Sequence, residues 1–169
     1  LLERLLNVLP FVGLGDLITI LLDGNLLNVD QLIPVGYYNP VIDGCHVTYA
    51  SGFGQLGEKT TSYNGGFVGK QTGSYITNSS VSAENLQIQG KVFAGGFSGI
   101  TANAEIKGAL HDLGVNLVDG LMIQSVTAGS TVTGVSGISA ENFAGGFTGS
   151  MANSYAVDCS VSGVEQVHA

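Results

Sequence analysis

The chain contains 169 residues, of which 44% are hydrophobic and only 11% are charged, and this length suits one domain with a real core rather than two ordinary ones. Its 26 glycines follow no Gly-X-Y period, which excludes collagen. The formal net charge is −8, with only five Lys and Arg residues spread along the chain. The sequence therefore lacks the clustered cations of proteins that bind nucleic acids or anionic surfaces.

The N-terminal segment, residues 1–41, is rich in Leu and Ile and carries no repeat pattern. Its apolar run at 5–22 has about the length of a membrane span, but Asn7, Pro10 and Asp16 interrupt it, and an Asp at mid-bilayer costs about 2.5–3.5 kcal/mol. We therefore predict an apolar, partly helical capping segment and no membrane insertion. Because the chain starts without Met, a basic stretch or a small-residue cleavage pattern, we expect a mature or excised piece of a longer polypeptide.

Three later segments share one pattern, which reads aromatic, small, Gly, Gly, Phe, small, Gly. They are YNGGFVG at 63–69, FAGGFSG at 93–99 and FAGGFTG at 143–149. A second pattern follows, in which Val81 lies 14 residues after Phe67 and Val161 lies 14 residues after Phe147. A repeat of about 30 residues explains both spacings.

The middle repeat is longer, since its matching valine, Val132, lies 35 residues after Phe97. We predict that residues 107–127 are an insertion that packs on one flank of the domain. An earlier partial copy at 43–48 places Val47 at the same repeat position as Val132. The predicted repeat domain therefore spans 42–169.

The repeats predict strands rather than helices. Val, Ile, Ser and Thr alternate in short runs such as Thr131-Val132-Thr133, and the apolar i, i+3, i+4 spacing of helical repeats is missing. Strands punctuated by glycine at fixed offsets predict an all-β fold. We expect a β-solenoid, in the form of a right-handed β-helix, with coils of about 30 residues stacked at about 4.8 Å.

Stacked coils would place equivalent residues above one another. The Gly65-Gly66 pair and its copies are predicted to form tight corners with positive φ, where a Cβ would clash. An inner aromatic stack of Phe67, Phe97 and Phe147 is predicted, with a companion stack of Tyr63, Phe93 and Phe143. Burial of all six rings is expected to stabilise the fold.

The repeats resemble the GLUG repeat, which occurs in tandem in large bacterial surface and secreted proteins. The resemblance covers residues 42–106 and 128–164, and the family has Leu where this chain has Phe. It implies a bacterial, exported protein involved in attachment or surface architecture, with no catalytic residues to transfer. The residues that carry it are Gly65-Gly66-Phe67-Val68-Gly69 with Gly73, Ile76 and Asn78-Ser79, and Gly145-Gly146-Phe147-Thr148-Gly149 with Asn153-Ser154-Tyr155-Ala156.

Cysteine and histidine provide no predicted site. Cys45 and Cys159 fall at the same repeat position, about three coils or roughly 14 Å apart, whereas a disulfide needs Cα atoms within about 7 Å. We therefore predict two thiols without an intrachain bridge. The histidines, His46, His111 and His168, lack the pairwise spacing of zinc ligands.

The acidic residues are predicted to serve turns and solvated corners. Asp-Gly pairs such as Asp43-Gly44 suit turns better than calcium sites. Glu84 and Glu141 fall at matching repeat positions with Asp158 nearby, and two facing carboxylates could hydrolyse a glycoside. A lyase would have no obvious cation to stabilise an enolate, because the only arginine, Arg4, lies in the predicted cap. We assign no catalytic, cofactor-binding or metal-binding residue and expect no enzymatic activity.

The sequence favours a structural role, namely a rigid repeat spacer or adhesion module of an extracellular bacterial cell-surface protein. The alternative is a ligand-binding adhesin domain that uses the 107–127 insertion or the cap as its ligand face, since loops on a rigid scaffold often carry binding. A polysaccharide-active β-helix enzyme is the third hypothesis. The expected partners are a host or cell-surface protein or glycan and neighbouring repeats of a longer chain.

Overall fold

A computed structural model describes residues 40–106 and 121–169, and all regular structure within them is β-strand. This confirms the all-β prediction for the described part of the chain. The predicted cap lies outside the described residues except for Pro40 and Val41, and so do residues 107–120 of the predicted insertion.

The strands are short, apart from two of 10 and 9 residues, Ser80–Gln89 and Thr131–Ser139. They are β1 (Val41–Asp43), β2 (His46–Thr48), β3 (Gln55–Leu56), β4 (Tyr63–Gly65), β5 (Val68–Thr72), β6 (Tyr75–Thr77), β7 (Ser80–Gln89), β8 (Phe93–Gly95), β9 (Ser98–Ala102), β10 (Ala104–Ile106), β11 (Leu121–Ile123), β12 (Val126–Ala128), β13 (Thr131–Ser139), β14 (Phe143–Gly145), β15 (Thr148–Ala152), β16 (Tyr155–Val157), β17 (Ser160–Ser162) and β18 (Gln166–His168).

The strands form four parallel sheets and one antiparallel pair. Sheet A has the order β1-β6-β12-β16, and sheet B has the order β17-β13-β7-β2, with β18 also paired to β13 and β3 to β7. Sheet C is β14-β8-β4 and sheet D is β15-β9-β5, whereas β10 and β11 form the antiparallel pair. The chain visits sheets C, D, A and B in that order in each repeat. We call these repeats unit 1 (63–89), unit 2 (93–139) and unit 3 (143–168), preceded by a partial unit (41–56).

The strand register pairs equivalent residues of successive units. We call a set of residues paired in this way from unit to unit a column. Val47 pairs with Val81, Val81 with Val132, and Val132 with Val161, which confirms the predicted alignment. Val81 and Val132, in the middle of the column, are fully buried. A parallel ladder of this kind places identical side chains one strand spacing apart, about 4.8 Å, so each column contributes the same contact in every unit.

The inner aromatic stack lies where the sequence predicts it. The ring centroids of Phe67 and Phe97 are 4.7 Å apart and those of Phe97 and Phe147 are 4.8 Å apart, with nearly parallel planes. Phe97 is fully buried, and the core around it contains Ile76, Val81, Leu86, Ile88, Ala94, Val132, Val135 and Ile138.

The companion stack forms, but it lies on the outside of the molecule. Tyr63, Phe93 and Phe143 stack with centroid distances of 5.4 and 5.0 Å, yet Tyr63 is 42% and Phe143 47% exposed. Alternate side chains of a strand point to opposite faces, and the next residues, Asn64 and Ala94, point inward. The prediction that both aromatic columns lie inside is therefore wrong for this one.

The paired glycines are needed for close approach of the backbones and not for a positive φ. None of the Gly-Gly copies has a positive φ, which contradicts the predicted corner geometry. Instead, a methyl group at Gly66 would clash with the carbonyl oxygen of Gly96, and one at Gly96 would clash with that of Gly146. Among the residues that do have a positive φ, Gly44, Asn78, Gly129 and Asp158 form one column.

The register places the extra residues of unit 2 between Asn103 and Ser125. Ala102 pairs with Thr72, and Val126 pairs with Tyr75, so residues 104–124 have no counterpart in unit 1. This segment is as long as the predicted insertion at 107–127 but begins and ends three residues earlier, because Val126 and Thr127 belong to β12. Near its two ends, the segment forms the antiparallel strands β10 and β11, which pair with each other.

Candidate functional surfaces

The outer face of sheet B is a continuous polar surface without charged side chains in its columns. Its strands present hydroxyl groups on both sides of each inward valine. A hydrogen bond of 2.8 Å joins His46 Nδ1 and Ser80 Oγ. Two outward columns run across four strands: His46, Ser80, Thr131 and Ser160, and Thr48, Ser82, Thr133 and Ser162.

The same face continues as an amide-bearing surface. Gln55 pairs with Gln87, and Gly137 pairs with both Gln87 and Gln166. Gln87 Nε2 donates a 3.1 Å hydrogen bond to Ser136 Oγ. Hydroxyl and amide groups in fixed rows can donate and accept hydrogen bonds, so this face suits a neutral polar ligand better than an ionic one.

Asp43 forms a small polar cluster at a corner between sheets A and B. Thr77 Oγ1 donates a 2.6 Å hydrogen bond to Asp43 Oδ1, and Asn78 Nδ2 donates one of 2.9 Å to the same oxygen. The hydrogen bond from Thr77, followed by that from Asn78, lowers the pKa of the Asp43 carboxyl, because these bonds favour its charged form. Gly44 has φ +63°, so the predicted turn at Asp43-Gly44 is confirmed.

The two cysteines occupy the same column, with two serines between them. Each of the four side chains hydrogen-bonds the backbone carbonyl two residues earlier, at 3.7 Å from Cys45 Sγ, 2.8 Å from Ser79 Oγ, 3.1 Å from Ser130 Oγ and 3.4 Å from Cys159 Sγ. Both thiols are free, with Cys45 exposed and Cys159 half-buried. The sequence analysis missed the serines, although their alignment with the cysteines follows from the spacing to Val81 and Val132.

The two glutamates predicted at matching positions are not equivalent. Glu84 lies in an irregular part of β7, where the register with β13 shifts. The backbone N–H of Glu141 donates to the carbonyl oxygen of Lys91, so Glu141 occupies the column of Lys91. Asp158 belongs to a different column from either glutamate, the one that also contains Gly44, Asn78 and Gly129. The structure therefore does not bring these carboxylates together as a matched pair.

The histidines are likewise dispersed. His46 and His168 lie at the two outermost strands of sheet B and are exposed, whereas His111 lies outside the described residues. In residues 40–106 and 121–169, no three His, Cys, Asp or Glu side chains come close enough together to hold a metal ion.

A polar network fills the interior between sheets A and D. Gln71 is 2% exposed, and its Nε2 donates to the carbonyl oxygens of Ser74 and Val126 at 3.1 and 3.2 Å. Its Oε1 accepts hydrogen bonds from Thr127 and Thr101 at 2.9 and 3.4 Å. All donors and acceptors of this amide are used, so the network stabilises the core and offers no free group to a ligand.

The outer side of unit 3, formed by β14 to β18 and called the C-terminal face below, exposes side chains of the same columns that are buried in the inner units. Val161 is 37% exposed, although Val81 and Val132 in its column are fully buried. Val167 is 44% exposed, whereas its partner Ile138 is 1% exposed. This face therefore exposes apolar side chains whose equivalents in units 1 and 2 belong to the core.

Comparisons with known proteins give no match: no family model, curated protein or solved structure is similar enough to the chain to be matched. Within the described residues, no helix has the length and hydropathy required to cross a membrane.

Proposed function

We propose that the units wind as a right-handed β-solenoid and that its role is mechanical, as a rigid spacer or adhesion module of an extracellular bacterial cell-surface protein. The observation that carries this proposal is the pair of aromatic stacks that run through all three units, with centroid distances of 4.7 to 5.4 Å. Because the same contacts recur between neighbouring units, further units would add length without requiring a new interface.

Two further observations support a structural role. The resemblance to the GLUG repeat points to attachment or surface architecture. The buried polar groups around Gln71 are engaged in hydrogen bonds with one another, and Glu84 and Glu141 lie in different columns. The proposed role is therefore non-catalytic, and the expected partners are neighbouring repeats and a host or cell-surface protein or glycan.

Excision of residues 104–124 tests the spacer against the adhesin alternative. The shortened chain joins Asn103 to Ser125, which reproduces the Asn153-Ser154 sequence at the same place in unit 3. A spacer should keep its β-sheet circular dichroism spectrum, its protease resistance and any attachment of cells that display it. Loss of attachment to glycans or host cells with the spectrum unchanged would instead support an adhesin that uses the inserted segment.

The polar outer face of sheet B favours a second candidate, recognition of a neutral glycan by its hydroxyl and amide columns. Thr133 is exposed at the centre of this face, so Thr133→Lys should remove binding to a neutral glycan array without altering the fold. Glu84→Lys is the matched control, because Glu84 is exposed on the same strand pair but outside the regular columns. Equal array signals for the original chain and the Thr133 variant would exclude this face as the binding surface.

A further inference from the structure

Gly146 lies where the described residues leave enough space for a side chain. In the same column, a methyl group at Gly66 or Gly96 would clash with the carbonyl oxygen of the glycine in the next unit toward the C-terminus. The space on that side of Gly146 is open, since a methyl group there would meet only Val161 Cγ1, at 3.6 Å, an ordinary van der Waals distance. Because Gly146 has no side chain, the space beside it can accommodate the backbone of another unit, as the space beside Gly66 and Gly96 does.

The backbone N–H groups beside Gly146 point to the same missing neighbour. In unit 1, the N–H groups of Phe67 and Val68 donate to the carbonyl oxygen of Phe97 at 2.8 and 3.0 Å. In unit 2, the N–H groups of Phe97 and Ser98 donate to Phe147 O at 2.7 and 3.1 Å. The corresponding N–H groups of Phe147 and Thr148 have no acceptor among residues 40–106 and 121–169. A backbone carbonyl positioned above Phe147 would accept both bonds.

The apolar columns complete the description of the partner. Among the described residues, one face of the Phe147 ring stacks on Phe97 and no ring stacks on the other. Val161 and Val167 are exposed on the same side of the unit. In the inner units, each of these columns is covered by a residue of the same kind. A surface that fits the C-terminal face must therefore offer an aromatic ring, β-branched side chains and a glycine in register with Gly146.

We propose that the C-terminal face is a docking surface for one further unit that carries the Gly-Gly-Phe motif and adds to β14–β18 in parallel register. This proposal rests on the stacking that underlies the proposed function, and it extends the established contact between units 2 and 3. Gly146 is the specificity-determining residue of the surface, because a side chain there would obstruct the carbonyl oxygen of the incoming glycine.

The test is an extended chain in which a second copy of residues 141–169 follows Ala169 directly. His168 pairs with Ser139, and Glu141 follows Ser139 by two residues, so the added copy continues the register without a linker. Hydrogen exchange should show the Phe147 and Thr148 amides at least about 10-fold more protected in the extended chain than in the original chain, because ordered hydrogen bonds slow exchange. The urea midpoint should also rise.

Three alanine substitutions make the test specific for Gly146. Gly146→Ala should leave the urea midpoint of the original chain nearly unchanged but abolish the added protection in the extended chain. The same substitution at the equivalent glycine of the added copy, which is now the terminal one, should be tolerated. Gly96→Ala in the original chain should lower the midpoint, and if it does not, the stacking and the proposed function fail together.

The docking proposal can fail while the proposed function stands. If protease trims the added copy and the Phe147 amide exchanges as before, although Gly96→Ala is destabilising, the C-terminal face does not accept a further unit. If the original chain instead dimerises in sedimentation experiments, with the Phe147 amide protected in the dimer and Gly146→Ala leaving that dimer intact, the C-terminal face belongs to a second copy of the chain, and the proposal is overturned.

Discussion

The two aromatic residues of the repeated motif differ in what they contribute, because the face of the strand decides their burial. Phe97, of the inner stack, is fully buried, whereas Phe143, of the companion stack, is 47% exposed. The motif alone predicted that both stack, and both do. The sequence analysis placed both stacks inside, because the alternation of strand residues is readable only once the strand boundaries are known.

Phe97→Ala should lower the free energy of unfolding by about 3–5 kcal/mol, as expected for truncation of a buried aromatic residue. Phe143→Ala should cost clearly less, since nearly half of that side chain is already in contact with water. Urea titration followed by circular dichroism would measure both, with Glu84→Ala as a near-neutral surface control. Equal losses for the two phenylalanines would contradict the assignment of inner and outer stacks.

Asp43 should make stability depend on pH in the acid range. Its pKa is lowered in the folded protein by the hydrogen bonds from Thr77 and Asn78, so the folded state binds this proton less readily than the unfolded state. The stabilisation is therefore present above the usual Asp value of 3.8 and is lost as the pH falls through the lower folded pKa.

The matching experiment compares thermal unfolding of the original chain and Asp43→Asn between pH 6 and pH 2. The original chain should lose its advantage over the variant on acidification, and the two melting temperatures should converge. A difference that stays constant across this range would show that Asp43 acts through packing and not through its charge.

At the scale of the element, the corner between sheets A and B sets the path of every repeat. Gly44, Asn78, Gly129 and Asp158 occupy it, with φ between 49° and 63°. Gly has no steric penalty in this left-handed region, and Asn and Asp tolerate it better than other residues. The sequence analysis located the left-handed corners at the Gly-Gly pairs instead, because a glycine needed for close backbone approach and one needed for a positive φ look the same in the sequence.

Asp158→Ala should destabilise the chain by less than about 1–2 kcal/mol, the usual cost of a left-handed conformation for a residue with a Cβ, because Asp carries part of that cost already and only its better tolerance of this region is lost. Asp158→Gly is the matched control and should be neutral or slightly stabilising, because it removes the same carboxylate but suits the backbone. Chemical denaturation of both variants would decide, and equal losses would assign the effect to the carboxylate rather than to the corner.

Boundaries within elements were the least predictable feature. The string Ala-Glu-Asn occurs at 83–85 and at 140–142, and this likeness suggested that Glu84 and Glu141 are equivalent. In the structure, the first string lies in the irregular middle of β7, where Asn85 has a positive φ, and the second lies in the turn before β14. Spacing to the valine column was the better guide, because buried register is fixed by packing whereas turn sequences recur independently.

At the scale of the whole molecule, stability should be greatest in the middle of the stack. Each unit contacts only its neighbours, so inner units have two interfaces and end units have fewer. The valine column allows inner and end units to be compared at a single residue type, because Val132 in unit 2 is fully buried and Val161 in unit 3 is 37% exposed. The repeat count from the sequence was sufficient to predict this arrangement, although the exposed end of the column was not foreseen.

Val132→Ala should reduce the free energy of unfolding by about 1.5–3 kcal/mol, the value expected for fully burying a valine side chain. Val161→Ala, the same change in the same column, should have well under half this effect. Differential scanning fluorimetry would rank the variants and urea titration would quantify them. If the Val161 variant is as unstable as the Val132 variant, the C-terminal face is covered in the isolated protein.

The excursion of residues 104–124 has a practical consequence. On either side of it, Ala102 and Val126 keep the pairing with Thr72 and Tyr75 that unit 1 dictates. A foreign peptide grafted between β10 and β11 should therefore leave the flanking ladders undisturbed. The segment between β10 and β11 could then be engineered to present an epitope or an enzyme tag at the level of unit 2.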